Sequence, residues 1–262
     1  MRRFLADLHL HTDYDAERGK WHGMDPKELA ARTVDSPLDI IAVTEHNGVS
    51  DRYFDVQEEI ARLTQGTERR IAVLLGMELS VSFDNDRFHV GYIFEETFRR
   101  GELPTTPEAA VNLRHLEEYR TYYPGVAIFN HPTWKAGCKA DYDRVRALME
   151  SGLVDGAELI NGVVLCNNNG RGKGITAEAW RLFIEARKKQ PNLAPVGSSD
   201  AHKPAHVAVA ATAFDANEAS WLFTALRRGT TRATPLQDKV RENVASLLED
   251  IAGARRYLEE EA

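Results

Sequence analysis

Apolar residues gather along the chain in seven short runs, each followed by a polar tip that is often histidine-bearing and, in most cases, by a helical stretch. The runs span 4–10, 39–44, 71–81, 88–94, 125–130, 156–160 and 193–197. Most are almost continuously apolar, as expected of strands buried on both faces. Between them the spacing predicts helices with recognisable starts. Asp25-Pro26 opens a helix over 27–33 with an N-cap and a proline at the first helical position. Thr106-Pro107 opens 108–119 in the same way, Thr176 is placed to cap 177–189, and Asn217 to cap 218–228. A last helix follows Thr234-Pro235. Its residues Leu236, Val240, Val244, Leu247, Leu248, Ile251 and Leu258 recur at helical spacing, so one face should pack on the body.

Strands alternating with helices imply an α/β protein with a parallel sheet, open or closed into a barrel. Seven strands in 262 residues suit a single-domain, barrel-like arrangement over 1–262, with 235–262 as a C-terminal helix on the barrel. An open doubly wound sheet is the alternative from rhythm alone.

Composition narrows the function classes. The chain is 43% hydrophobic and 28% charged, enough apolar material for a buried core. It carries 33 Lys and Arg against 40 Asp and Glu, a net charge of -7, which disfavours a protein that coats nucleic acid or an anionic membrane. No apolar run approaches the roughly 18 residues of a membrane span. Asp7 follows Met1-Arg-Arg-Phe-Leu-Ala before any signal-peptide core develops, so a soluble cytoplasmic protein is expected. Two cysteines, Cys138 and Cys166, are too few for a disulfide framework or a thiolate zinc site.

The nine histidines change the picture by their placement. In Asp7-Leu8-His9-Leu10-His11 two imidazoles stand two apart on a predicted strand, on one face, where both can reach one metal. Thr44-Glu45-His46-Asn47 follows the apolar residues of the second run, and Gly76-Met77-Glu78 is expected to place a carboxylate at the end of Ile71–Leu75 in the third. His89 opens the core of the fourth run, His131-Pro132 ends the fifth, and Ser199-Asp200-Ala201-His202 follows the seventh. A single strand-end histidine is usually a satisfied polar residue. Six of nine at the ends of successive strands, where β/α active sites form, point to a multinuclear metal site. Nitrogen and oxygen donors without thiolate suit zinc, manganese or iron and do not choose among them.

The order of these tips resembles the polymerase and histidinol phosphatase (PHP) family of metal-dependent phosphoesterases. That pattern is Asp-x-His-x-His, Thr-Asp/Glu-His-Asn, Gly-x-Glu, a lone His, Asn-His-Pro and Ser-Asp-Ala-His, and all six stand here in order between residues 7 and 202. The tail Ala225-Leu-Arg-Arg-Gly229 is similar to the helix and turn that close such domains. The resemblance implies a distorted seven-stranded TIM-like β/α barrel holding two or three divalent ions. It implies His9, His11, Glu78 and Asp200 around one ion, Glu78 bridging to a second with His89 and His131, and His46 with His202 at a third. For the last ligand Asp15 is the choice, with His22 the runner-up and Asp13 a further alternative, because the usual positions hold Ala16 and Glu17.

The implied reaction is hydrolysis of a phosphate ester by water activated between the ions, with Glu78, Asp200 and His202 as catalytic residues. Candidate phosphate contacts are Lys135, Arg171 and Lys173, with Arg87 weaker and Asn161 in support. Arg171 and Lys173 lie in Asn-Asn-Asn-Gly-Arg-Gly-Lys-Gly over 167–174, which lacks the Ser or Thr of a Walker motif and reads equally well as a polar connection. His115, His206, Trp134, Trp180 and Trp221 read as surface, rim or core. The expected partner is a small phosphorylated metabolite or nucleotide. A 3′-end exonuclease, a degenerate metal-binding domain and an amidohydrolase-like C–N hydrolase are the alternatives.

Overall fold

Each of the seven apolar runs forms a strand. In chain order the elements are β1 (Arg2–Leu10), β2 (Tyr14–Asp15), β3 (Lys20–Trp21), α1 (Pro26–Val34), β4 (Ile40–His46), α2 (Arg52–Leu63), β5 (Ala72–Phe83), β6 (Asp86–Phe94), β7 (Val111–Asn112) and α3 (Leu113–Tyr122). There follow β8 (Gly125–Phe129), α4 (Tyr142–Glu150), β9 (Gly156–Asn161), α5 (Gly162–Cys166), α6 (Arg171–Ala186), β10 (Ala194–Ser198), β11 (Ala210–Ala216), α7 (Leu222–Arg228), β12 (Arg232–Pro235) and α8 (Asp238–Leu248). The computed structural model describes residues 1–12, 14–15, 20–21, 23–83, 86–105, 111–134, 141–166, 171–248, 251 and 254–257, with backbone alone at 14–15, 20–21, 111–115, 118, 171 and 255.

The main sheet runs β10-β9-β8-β6-β5-β4-β1-β11-β12, with β7 paired to β5 and β2 paired to β3 apart from it. That path holds nine strands where the pattern predicts seven. The additions are β11, whose sequence is largely alanine and carries little strand signal, and the short β12. Nor is the sheet all parallel. Neighbours among β1, β4 and β5, and among β8, β9 and β10, run parallel, but β6 is antiparallel to β5 and β8, and β11 to β1 and β12. Only two residues separate β5 from β6, a gap that a hairpin spans and a crossover does not.

The sheet nearly closes. The end of β1 meets the chain three residues beyond β10 in a parallel bridge, Leu10 to Ala201, with His11 N donating to Ala201 O at 3.1 Å and Ala201 N to His9 O at 3.3 Å. Thr212 on β11 exchanges bonds with Gly197 on β10, accepting from its N at 3.2 Å and donating to its O at 2.9 Å. Phe4, Ala6, Leu8, Ile40, Ala42, Ile93, Val126, Ile128, Ala194 and Val196 form one buried cluster together with Leu222 and Leu226 of α7. A larger cluster packs the helices against the opposite faces of the strands.

Several helix boundaries differ from the spacing. Asp25 caps α1 as expected, its carboxylate accepting from Lys27 N at 2.9 Å. The helix expected over 108–119 is found as α3, beginning at Leu113 after the short β7. α6 starts at Arg171, so Thr176 is buried within it and the second half of the 167–174 segment is helical. Burial of Ala179, Trp180, Leu182, Phe183 and Ala186 overrides the weak helix propensity of Gly172 and Gly174. A 3₁₀ turn, Ala219–Trp221, precedes α7. Pro235 ends β12, and α8 begins at Asp238 and buries Val240, Val244 and Leu248. No helix among the described residues is long and apolar enough to cross a membrane.

Candidate metal centre

The antiparallel β6 explains how a histidine near the start of a strand joins others near strand ends. Its first residues lie at the pole where the parallel strands finish, and His89 pairs in register with Ser80 on β5. On β1 the register against β4 slips between Asp7 and Leu10. Leu8 still belongs to the inner cluster while Leu10 packs in the outer one, so the slip shifts the alternation and brings His9 and His11 to the mouth. Among the described non-glycine residues Asn47, His131, Asp200 and Ala208 have positive φ, and the first three lie on the tips that carry the histidines and acids. Backbone held in this region clusters at functional sites.

Three sets of side chains bring possible ligand atoms within 4.8 Å of one another: His9, Glu78 and His131; His9, His11 and Asp200; and His11, His46 and His202. Glu78 stands between them. Its Oε1 lies 3.3 Å from His9 Nε2, 3.1 Å from His89 Nδ1 and 3.1 Å from His131 Nε2. Its Oε2 lies 3.4 Å from His46 Nε2 and 3.7 Å from His11 Nε2. Asp200 Oδ1 is 3.5 Å from His9 Nε2, 3.4 Å from His11 Nε2 and 3.5 Å from His202 Nδ1. The rings of His11, His46 and His202 form a triangle, with centroids 4.2 Å apart from His11 to each of the other two and 5.5 Å apart between those two.

These separations fit divalent cations. Ligand atoms placed about 2.1 Å from an ion lie roughly 3.0–3.4 Å from one another, close to the spacings found here. The protonation pattern suits them too. Burial would raise Glu78, but His9, His131 and His89 hold its carboxyl well below the usual range. Asp200 is likewise lowered, burial being outweighed by His9, His11 and His131. Burial pushes His11 down to about 4 and lowers His202, so both offer neutral nitrogen lone pairs near neutral pH. Burial also opposes charge on His9, but Asp200, Glu78 and Glu158 outweigh it and raise His9 well above the ordinary value. An ion on His9 Nε2 would displace that proton and supply the charge instead.

Three buried carboxylates brace the tips, and spacing alone assigns none of them a part. Glu158, inside β9, approaches His9 Nδ1 at 3.1 Å with Oε1, and with Oε2 accepts from His131 N at 2.7 Å and Asn161 Nδ2 at 2.9 Å. Asp7 accepts from Ser199 N at 3.0 Å, holding the turn that carries Asp200, and burial raises its carboxyl to about 7. Glu45 accepts from Thr12 N at 3.0 Å, fixing the chain just beyond His11. Asn130 Nδ2 donates to Glu78 Oε1 at 3.1 Å. The available signal was an acid within an apolar run, as at Glu158, or directly beside a histidine-bearing tip, as at Glu45.

Eight sequence-predicted residues are therefore brought together: His9, His11, His46, Glu78, His89, His131, Asp200 and His202. Asn161 is buried, donating to Asp200 Oδ2 at 3.1 Å as well as to Glu158, and accepting from Val164 N. Lys173 is exposed on α6, and Arg171 is the first residue of that helix. Arg87 is exposed on β6, and His206 is half-buried on a 3₁₀ turn after the last tip. Asp15 contributes backbone to β2, while Asp13, His22, Lys135 and Cys138 lie outside the described residues. Trp134 is partly exposed at the rim, edge-on to His131 with ring centroids 5.2 Å apart. Trp180 is fully buried.

A nearly closed α/β sheet that gathers imidazoles and carboxylates at one mouth defines the class: a barrel-like α/β fold with a candidate multinuclear metal centre. Comparison narrows it. The profile of the PHP-associated family matches residues 185–231. Comparison with curated proteins found no match. The fold is similar to that of a two-domain protein from Bacteroides vulgatus containing a predicted PHP-like metal-dependent phosphoesterase, with TM-score 0.60, 19% identity and coverage of 93% of this chain and 70% of that one. PsfC from Pseudomonas syringae is similar with TM-score 0.59, 21% identity and coverage of 94% and 97%. The lesion-specific endonuclease PfuEndoQ from Pyrococcus furiosus has TM-score 0.53, 12% identity and coverage of 90% and 60%. The segment match and the shared fold together support a PHP-family phosphoesterase.

Proposed function

We propose that the chain hydrolyses a phosphate ester of a small metabolite or nucleotide. In this reading His9, His11, His46, Glu78, His89, His131, Asp200 and His202 hold two or three zinc, manganese or iron ions, with Asp15 as a further ligand. The observation that carries it is Glu78, whose two carboxylate oxygens face two different sets of imidazoles at 3.1–3.7 Å. Bound divalent ions would supply charge neutralisation at phosphoryl oxygens and acidify a water.

The protein side of the reaction follows from placement. Asp200 keeps Oδ1 toward His9, His11 and His202 while Asn161 holds Oδ2. His46 and His202, with side chains 34% and 30% exposed, form the open rim where substrate arrives. Burial lowers His202, leaving a neutral imidazole able to bind an ion or accept a proton. Cys166 offers no ready nucleophile, because burial pushes its thiol up. In this reading the attacking group is water. Lys135, Arg171 and Lys173 stay candidates for the phosphate or its leaving group.

A nucleic-acid substrate is the second reading, favoured by the fold shared with PfuEndoQ and opposed by a net charge of -7. One panel separates them: phosphomonoesters, nucleotides and single-stranded DNA, each with Mn²⁺, Zn²⁺ or Fe²⁺, after metal analysis shows two or three equivalents bound. Phosphate release from a small ester is the expected result. DNA shortening without it establishes the second reading, and no hydrolysis of any substrate at full occupancy removes both.

A further inference from the structure

We infer that the centre binds its ions unequally: an inner position on His9, Glu78 and His131 holds its ion tightly, an outer one on His11, His46 and His202 holds its ion weakly, and Glu158 is what makes the inner position tight. The inference rests on the reading above only in that divalent ions bind; it requires no particular substrate.

Charge is the first argument. The inner set contains the Glu78 carboxylate as a member, its Oε1 3.1–3.3 Å from His9 and His131, whereas the outer set consists of three imidazoles that Glu78 Oε2 and Asp200 Oδ1 approach at 3.4–3.7 Å. Divalent-ion affinity rises with the number of charged ligands and with the rigidity of the site. Burial is the second. Every member of the inner set is buried, with exposures of 1%, 3% and 6% for the His9, Glu78 and His131 side chains, while His46 and His202 are partly open to water. In the dry position the attraction between ion and carboxylate is screened least.

Rigidity is the third argument, and it belongs to Glu158. Its side chain is wholly buried, and its two oxygens reach two members of the inner position, on β1 and after β8, and Asn161 on its own strand. Oε1 meets His9 Nδ1 at 3.1 Å, an arrangement that keeps the proton on Nδ1 and turns the Nε2 lone pair toward Glu78. Oε2 fixes the His131 backbone, which stands at φ 26°, through a 2.7 Å bond. The same oxygen orients Asn161, which in turn donates to Asp200. One carboxylate thus positions His9 and His131 directly and Asp200 through Asn161. Free cation concentration then sets how much of the protein has the outer position filled.

The test is equilibrium titration of metal-stripped protein with Mn²⁺ alone, free Mn²⁺ being read by electron paramagnetic resonance. Two classes of site with dissociation constants at least about tenfold apart are expected, since loss of a single orienting partner typically changes metal affinity by about 10–100-fold. Glu158→Gln should weaken the tight class by that factor and leave the weak class in place. His202→Ala should remove the weak class and leave the tight one, and it keeps the inference falsifiable if Glu158→Gln fails to fold by circular dichroism. A single class in the wild type overturns the inference. So does Glu158→Gln weakening both classes alike or neither, or His202→Ala loosening the tight class. The titration contains no substrate, so an inactive protein that still shows two classes defeats the proposed reaction and supports unequal binding.

Discussion

The near-closure of the sheet can be probed with one chemical change made at two glycines. Gly197 lies on β10 where that strand passes β11 and β12. A methyl group there would sit 2.5 Å from the Ala211 carbonyl oxygen, 3.1 Å from Thr234 N and 3.2 Å from the Ala211 carbonyl carbon. All three are backbone atoms, so no side chain can swing aside. Favourable heavy-atom contact begins at about 3.5 Å, so Gly197→Ala forces the strands apart by roughly 1 Å. Overpacking of this kind costs about 1–3 kcal/mol. The retreat also stretches the two bonds between Gly197 and Thr212, at 3.2 and 2.9 Å, each worth about 1 kcal/mol net. A loss of about 2–4 kcal/mol lowers Tm by roughly 5–15 °C in a chain of this size.

Gly174, by contrast, sits in α6 with nothing within 4 Å of the added carbon. There Gly→Ala should stabilise by about 0.5–1 kcal/mol, since alanine loses less backbone freedom on entering a helix. Scanning calorimetry and urea denaturation of chelator-treated proteins measure both. Gly197 stands three residues before Asp200, so its variant should also bind Mn²⁺ more weakly, while Gly174→Ala should not. A Gly197→Ala protein within about 0.5 kcal/mol of wild type, the ordinary range for a neutral surface change, would refute the closure argument.

Three further outcomes follow from the same geometry. Saturating Mn²⁺ at a hundredfold excess over Kd should stabilise the fold by about 2.7 kcal/mol per position, so EDTA should lower Tm by several degrees; an unchanged Tm would mean that the cluster holds no ion. Glu78→Ala and Asp200→Ala should each abolish turnover of whichever ester the substrate panel identifies, with the circular dichroism spectrum retained, and measurable residual turnover would displace them from the reaction. Asp141 caps α4 by accepting from Asp143 N at 3.1 Å and Arg144 N at 3.3 Å, so Asp141→Ala should cost about 1 kcal/mol by urea denaturation, and no loss would show the cap to be redundant.

What was legible in the sequence divides along a physical line. The seven strands are written in local composition, and the residues at their tips in local spacing, so both could be read without coordinates. The same holds for Asp25, whose capping role depends on residues two positions away. α2 lies outside the helices expected from spacing, although Asp51 stands directly before it; that side chain makes no capping bond. β11 was not expected either: alanines enter a strand there only because β1 and β12 lie on either side. The direction of β6 became clear only once pairing was known, and with it the reason that His89 stands at the same mouth as His131.

Glu158 is the sharpest case. Nothing within several residues of it explains an acid in an apolar strand, because its partners His9 and His131 lie 149 and 27 positions away. Asp7 and Glu45 follow the same rule, bracing Ser199 across 192 positions and Thr12 across 33. Each of these acids accepts a backbone N–H from a tip other than its own. An ion site assembled from separate strands needs such braces, since an imidazole can be placed by its own strand but its angle to a ligand on another strand cannot. A buried acid interrupting a predicted two-face-buried strand is therefore a signal in itself: in a fold whose strand ends carry histidines, it marks the residue that holds two of those ends in register.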